Sequence, residues 1–351
     1  MRVWFNRTFA THAHTITLLR ANPDGEQVWV LGSHADPDSP VLGACDHAIA
    51  EPDLVGMEYL TWALGVCRAY AVEVFFPRLH MEMVAQHRDL FAAAGVAVVV
   101  GPYAPMALLG DKGAAYADAT AAGLHVPPHL VVDSPEGLAD AFADMVAVDG
   151  TVCVKPVSGV GAAGFQVLSQ HAPSWAQLSG MKARTVPVAG YVDAMQRARD
   201  AGVVLPQLLV MPWLPGPEVS VDCLGGVDGA LLAGVPRAQH GRRYVLGDGE
   251  ALEVAKVIVS RHNLFSLSNT QVRYWRNPGS DDGPLPYLLE TNTRMAGGLF
   301  QSARAGVNLA WAGAVQALGR DVGDLTPSLG GQYAKVSGTC ELAPRGALQP
   351  A

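Results

Sequence analysis

Short apolar runs alternate with helically spaced apolar stripes through the first hundred residues. Residues 2–5 read as a first strand, and a polar loop over 6–14 leads into a helix carried by Ile16, Leu18 and Leu19 that closes near Asn22-Pro23. Further strands are expected at 27–31, 48–50, 72–76 and 96–100, and helices at 59–70 and at 81–94, the second stopped by Gly95. Strands alternating with helices predict a parallel, doubly wound sheet whose ligand crevice lies outside the carboxyl ends of its strands. Those ends carry Asn6, Arg7, His12, His14, Arg78 and His80. The turn after the first strand lacks G-x-G-x-x-G, so a dinucleotide fingerprint is absent. The pair His12-x-His14 fits a solvated or anion-binding loop better than a metal site.

The middle of the chain is punctuated by glycine. Asp111 reads as the N-cap of an alanine-rich helix that ends at Gly123, which places Lys112 in the first turn, against the helix dipole. A lysine kept there at a local cost points to function. The next helix carries Leu138, Phe142 and Met145. Residues 151–155 form a strand ending in Lys155, 157–164 a loop of sequence Val-Ser-Gly-Val-Gly-Ala-Ala-Gly, and 165–168 a returning strand. Such a loop between two strands suits a flap over nucleotide phosphates: Ser158, Gly159, Gly161 and Gly164 let the backbone approach and offer N–H donors, and Lys155 adds a point charge. An ordinary hairpin shares the pattern. Residues 171–202 are less regular, with a helix over 192–201, and read as a lid or insertion. Residues 207–222 then form two strands around a Pro-Gly turn. Pro212 cannot donate to a ladder, so Met211, Trp213 and Leu214 are expected on an edge or connector. There the Met211 carbonyl and the Leu214 N–H can read an adenine edge, and Glu218 can bridge two ribose hydroxyls.

The densest polar signal lies in 287–298, Tyr-Leu-Leu-Glu-Thr-Asn-Thr-Arg-Met-Ala-Gly-Gly. In an extended strand Glu290, Asn292 and Arg294 share one face. Oxygens from Glu290 and Asn292 suit Mg²⁺, and Arg294 suits a phosphate oxygen. Upstream, 267–275 alternates as a strand and 277–283 is a turn cluster. A hairpin centred near Ser280 sets Gln271 against Leu289 or Glu290. The basic loop 237–243 is either a solvated charge run or a site where Arg237 holds the γ-phosphate or a substrate carboxylate, and Arg242 the latter. A helix over 309–318 and a returning strand within 326–341 follow, and the last ten residues read as loose.

Composition narrows the picture. The chain has 351 residues, 50% hydrophobic and 16% charged, enough for more than one domain with a large core. A net charge of −8 argues against nucleic acid or an anionic membrane as the partner. The five cysteines lack C-x-x-C spacing and fit a reducing compartment. No apolar run approaches the ~20 residues of a membrane helix, and the first residues read as a strand, not a signal peptide. The expectation is a soluble, cytoplasmic protein with small-molecule partners.

Taken in order, Lys112, Lys155 with its flap, the 211–218 segment and Glu290-x-Asn292-x-Arg294 resemble the ATP-grasp superfamily, over roughly residues 2–319. The likeness implies a fold that is α/β, passing to α+β in the C-terminal part. A doubly wound parallel-sheet N-terminal domain over 1–105 would precede a two-lobed ATP-grasp domain over 106–330. That domain would have a glycine-flap lobe at about 130–212 and a large lobe at 213–330, with a C-terminal strand and tail over 331–351. The resemblance also implies roles. Lys112 and Lys155 would hold the α- and β-phosphates of ATP, 211–214 would be the hinge that clasps adenine, and Glu218 would bind ribose. Gln271, Glu290 and Asn292 would ligate Mg²⁺ or Mn²⁺, and Arg294, with Lys155 and Arg237, would act in catalysis. Met211 stands where an acidic residue is common, and Ala162-Ala163 where Gly, Ser or a basic residue is frequent. The chain also looks like the stand-alone bacterial ATP-grasp proteins encoded beside tellurium-resistance genes.

The implied activity is that of an ATP-dependent carboxylate–amine ligase. A carboxylate is activated as an acyl phosphate and an amine displaces phosphate, leaving ADP. The charge of ATP must be neutralised before a second anion can approach, which lysines, metal and arginine supply. Closure of the flap would keep water from the acyl phosphate. Two other readings stand beside it: a carboxyphosphate-forming enzyme like biotin carboxylase, and an ATP-binding sensor or assembly protein with a degenerate site, suggested by Gln271, Met211 and the flap alanines. The acid, the amine and the oligomeric state, a homodimer included, are not legible here.

Overall fold

Strand β1 (Arg2–Asn6) explains the N-terminal architecture: Val3 and Phe5 enter one core and Trp4 another, so both faces of the strand are buried. A near-continuous apolar run is what a doubly covered parallel strand needs. The computed structural model describes residues 1–159, 163–171, 185–241 and 243–334. With β2 (Trp29–His34), β3 (His47–Ala50), β4 (Val74–Phe76) and β5 (Ala97–Val98), β1 forms a parallel sheet in the order β3-β2-β1-β4-β5. Helix α1 (His12–Arg20) packs Ile16 and Leu19 against one face. The other is covered by α2 (Gly56–Ala69), α3 (Met81–Gln86) and α4 (Arg88–Ala93) through Tyr59, Leu60, Val84 and Phe91; α5 (Tyr103–Gly110) leads onward. The doubly wound expectation holds, with local differences. Helix α1 begins at His12, inside the stretch expected as loop, because His12, Thr15, Ile16 and Leu19 already form a buried face. The helix expected over 81–94 is two, parted where His87 leaves helical dihedrals (φ −110°, ψ 28°).

Next come α6 (Lys112–Ala121), β6 (Leu130–Val132), α7 (Pro135–Asp149), β7 (Val152–Pro156), β8 (Gln166–Ser169), β9 (Thr185–Pro187), α8 (Val188–Asp200) and β10 (Leu208–Pro212). Their strands lie in the order β6-β10-β7-β8-β9. Val152, Val154, Leu208 and Val210 share a core with Leu138, Phe142 and Met145 of α7 and Met195 of α8. By alternation Cys153, Lys155, Leu209 and Met211 face the other way. The stretch expected as a lid or insertion therefore supplies a strand and a packing helix of this layer. Strand β10 is not the edge or connector expected from Pro212: it lies between β6 and β7. Its pairing with β6 ends at Val210↔Leu130, so Pro212 falls where no ladder donor is missed on that side.

The rest comprises β11 (Glu218–Gly225), β12 (Leu231–His240), β13 (Arg243–Leu246), α9 (Gly249–Arg261), β14 (Ser266–Trp275), β15 (Leu285–Asn292), α10 (Leu309–Ala317) and β16 (Gln332–Ala334). The strand order is β15-β14-β11-β12-β13-β16. The return strand expected within 326–341 is β16, which pairs Tyr333 with Tyr244 of β13. Gly161, Ala162, Arg242 and the loose last ten residues lie outside the described residues.

Two compact units emerge, Met1–Ala107 with Val219–Thr270 and Thr291–Ala351, and Leu108–Glu218 with Gln271–Glu290. The first joins its N-terminal segment to strands that the sequence reading assigned to a separate large lobe. The reason is a shared core: Leu224, Val235, Leu246 and Leu267 pack with Val3, Phe5 and the Leu309–Val315 face of α10. No helix among the described residues is long and apolar enough to cross a membrane. Phe75 of β4 is fully buried between Trp4 and Phe91, with ring centroids 4.0 and 5.7 Å away. Phe75→Ala is expected to destabilise the protein by about 3–5 kcal/mol, read as a lowered urea midpoint.

Candidate active site

A cavity of about 520 Å³ in the second unit opens on the face that carries Cys153, Lys155 and Met211. Its charged lining is Lys112, Lys155, Glu218, Arg273 and Glu290, joined by the neutral amide of Gln271. Lys112 is the first residue of α6, whose start is fixed by the Asp111 carboxylate accepting from the Ala114 N–H. Its ammonium lies 3.8 Å from Glu290 and donates to the Val157 carbonyl at 3.4 Å. One turn along the same helix, Tyr116 is fully buried. Its hydroxyl donates to the Leu289 carbonyl at 2.9 Å and accepts from the Lys155 ammonium at 3.1 Å. Burial depresses Lys155 to about 8; Lys112 and Arg273 repel its charge, while Glu290 pulls the other way. A polyanion beside it would favour the charged form and raise that value again.

The flap is held by glycine where backbone geometry demands it. Gly159 has φ +133° and Gly164 φ +75°, and a Cβ on Gly164 would stand 2.8 Å from Pro156. Ser158, Gly159 and Ala163 line the cavity; Gly164 serves at the base of the loop instead. Met211, Trp213, Leu214 and Phe165 supply an apolar wall. Met211 stands opposite Cys153 in the ladder, and Trp213 N–H donates to Thr151. Alternation then points the backbone of Met211 at β7, which takes up the carbonyl expected to read an adenine edge. Glu218 lines the same cavity, held at 2.7 Å by Arg273, which also donates to the Leu214 carbonyl at 3.2 Å. The hydroxyls of Thr270 and Thr291 lie 3.2 Å apart across β14 and β15. In an antiparallel hairpin this sets Gln271 opposite Glu290, in agreement with the turn placed near Ser280.

Sequence reasoning missed Arg273 and Tyr116. The signal for each was present: Arg273 follows Gln271 by two on a strand, and Tyr116 follows Lys112 by four on a helix.

Asn292 and Arg294 lie in the first unit, where the Arg294 guanidinium donates to the Asn292 amide oxygen at 2.9 Å. Arg237, expected to grip a phosphate or a substrate carboxylate, has a different task. It is buried, with its fork on Asp222 at 2.7 and 3.2 Å and its remaining nitrogen on Gln301 at 3.2 Å. Asp222 also accepts from Asn269 and Ser302. This is a neutralised internal network. His12 and His14 do not pair: His12 contacts Thr8 and Ala296, and His14 packs on Phe300. Among the described residues no group of three or more His, Cys, Asp or Glu is placed to hold a metal.

This fold is that of ATP-grasp enzymes. Biotin carboxylase of Campylobacter jejuni, in complex with a β,γ-ATP ligand, superposes with a TM-score of 0.63 at 14% identity, over 94% of this chain and 74% of that one. L-amino acid ligase of Bacillus licheniformis gives 0.60 at 13% identity, over 93% and 77%. The biotin carboxylase domain of Hydrogenobacter thermophilus 2-oxoglutarate carboxylase, a dimer with MgADP, ADP and bicarbonate, gives 0.60 at 14% identity, over 94% and 73%. Residues 204–338 match the family described as "ATP-grasp in the biosynthetic pathway with Ter operon". The resemblance to the ATP-grasp superfamily and to its tellurium-associated branch therefore holds. No curated protein sequence matches the chain.

Between the depressed value of about 8 and the ordinary 10.5, the unfolded chain keeps a proton on Lys155 that the folded protein has lost. The free protein should therefore gain stability as pH rises through that window, and Lys155→Met should lack the increment; unfolding midpoints at about pH 7.5 and about pH 9.5 measure it. Arg237→Ala should strand the Asp222 carboxylate and cost about 3–5 kcal/mol in the same assay, a loss not expected of a surface phosphate ligand.

Proposed function

We propose that the protein is an ATP- and Mg²⁺-dependent carboxylate–amine ligase that forms ADP. The observation that carries this reading is the convergence of Lys112, Lys155, Gln271 and Glu290 on one cavity that also has an apolar wall. About 520 Å³ falls in the range of small-molecule sites, roughly 300–1,000 Å³. The wall of Phe165, Met211, Trp213 and Leu214 takes the base, and Glu218 takes the ribose, oriented by Arg273. Lys112 and Lys155 take the phosphates, and the flap backbone covers them. The oxygen donors of Glu290 and Gln271 fit Mg²⁺, which binds through few protein oxygens and keeps substrate phosphates as ligands; this cation would spread the charge of the phosphates. Asn292 as a further ligand and Arg294 on the transferring phosphoryl group rest on their spacing from Glu290. The ATP and MgADP complexes of the structural neighbours support the same assignment.

In the reaction, a substrate carboxylate oxygen attacks the γ-phosphorus and the bond to the β-phosphate oxygen breaks, giving ADP and an acyl phosphate. An amine then attacks the acyl carbon, phosphate leaves and the amine proton is lost. Arg237 takes no part. Among the described residues four cysteines are free, three of them buried, which suits a cytoplasmic setting.

Bicarbonate accompanies MgADP in one neighbour, which keeps carboxyphosphate formation as the second reading. Metal-dependent ADP release should appear with one acid–amine pair in a screen, and Glu290→Ala should lower it by about 10²–10³-fold with the melting temperature retained. Wild-type turnover by that variant would count against the assignment, and release driven by bicarbonate alone would favour the second reading.

A further inference from the structure

Strand β14 carries a second cavity-lining side chain besides Gln271. Arg273 follows Gln271 by two, so the two share one face of the strand, and both line the cavity. The connection from β10 to β11 comes down on this part of β14. The Tyr274 N–H donates to the Pro217 carbonyl at 3.1 Å, and a Cβ on Gly216 would stand 2.0 Å from the Tyr274 carbonyl oxygen. Backbone therefore rests on backbone here, and Pro215 and Pro217 on either side of the glycine stiffen the turn. The fork of Arg273 closes over the same turn. Its Nη1 donates to the Leu214 carbonyl at 3.2 Å and its Nη2 to a carboxylate oxygen of Glu218 at 2.7 Å.

This arginine is not placed for its own saturation. Its Nε is buried with no acceptor among the described residues, whereas every nitrogen of the Arg237 guanidinium meets one. What Arg273 holds is Glu218. A lone carboxylate on the wall of a cavity that receives polyphosphate would repel it, and the guanidinium offsets that charge. The side chains of Arg273 and Glu218 are 25% and 37% exposed, so a ligand in the cavity can reach both. Among the described residues only one oxygen of Glu218 is engaged. The pair thus offers an acceptor, the other oxygen of Glu218, beside donors, the remaining Nη hydrogens of Arg273. A hydroxyl can donate or accept, so a diol with one hydroxyl on each partner satisfies both.

We propose that Arg273 is a specificity-determining residue for the nucleotide: with Glu218 it reads the sugar diol as a donor–acceptor pair and so selects a ribonucleotide over its deoxy analogues. That the cavity takes a nucleotide with its sugar at Glu218 rests on the reading above; that the selection needs the arginine as well as the carboxylate follows from the fork. A lysine is a point charge on a flexible stem and cannot hold the Leu214 carbonyl and Glu218 together in one plane. Lys112 and Lys155 serve the phosphates. A change at Arg273 that merely loosened the cavity would weaken every nucleotide alike, whereas loss of a sugar reader removes the difference between ribose and deoxyribose.

The test uses the full chain as wild type, Arg273→Met, Arg273→Lys and Lys155→Met, each checked by thermal melting. Calorimetric titrations are run with the magnesium complexes of ADP, 2′-deoxy-ADP and 3′-deoxy-ADP. Wild type should favour ADP over at least one deoxy analogue by about tenfold or more, the size of a lost hydrogen bond to a charged group. That ratio should fall towards unity in Arg273→Met and lie between the two in Arg273→Lys. It should keep its wild-type value in Lys155→Met, where all three nucleotides weaken together. Should Arg273→Met fail to fold, a lowered ratio in Arg273→Lys supports the proposal and an unchanged one overturns it. Equal weakening of all three nucleotides by Arg273→Met would make the residue structural and overturn the proposal, as would a wild type that binds the three alike, or a ratio that falls as far in Lys155→Met. Failure of wild type to bind MgADP would remove the ligase reading and this proposal together, whereas binding with a ratio that Arg273→Met leaves unchanged removes the proposal alone.

Discussion

Two lysines and a carboxylate held together in a half-closed cavity are the constraint on which the second unit turns. Lys112 and Lys155 repel, Glu290 compensates only in part, and burial takes Lys155 well below its ordinary range. Such an arrangement is unfavourable in isolation and becomes favourable when a polyanion enters. Much of the surrounding geometry serves to hold it. The Asp111 cap fixes Lys112, the buried hydroxyl of Tyr116 orients the Lys155 ammonium, and the β14–β15 register sets Gln271 beside Glu290.

The first unit solves the opposite problem. There Arg237 and Asp222 are a matched, buried pair, extended by Asn269, Gln301 and Ser302 until every strong donor and acceptor around the carboxylate is used. The contrast separates two kinds of buried arginine. Arg237 is saturated by protein and acts in stability. Arg78 packs on Phe9 and keeps a buried Nε that finds no acceptor among the described residues.

Much of this was legible in the chain, and the limits have physical causes. Period-two and helical spacing revealed the parallel sheet, the Asp111 cap and the alignment of Gln271 with Glu290, because those signals are local. The flap between two strands was visible from its glycines, two of which take positive φ. The role of Arg237 was not, since a basic loop looks the same whether its forks meet solvent, a phosphate or a carboxylate fifteen positions upstream. Pro212 suggested an edge because a missing donor is a local fact, whereas the point at which β6 stops is a tertiary one. The stretch leading to β9 and α8 lacked strong periodicity, and its place in the sheet depends on a parallel pairing with β8 that no turn announces.

Helix α6 touches the base of the flap through Lys112 and Val157, and strand β15 through Tyr116 and Leu289. One helical turn separates the two anchor points, so it acts as a short rigid lever. A tilt of α6 would displace the backbone at Val157 and at Leu289 together, so the base of the flap and the strand end before Glu290 are mechanically coupled.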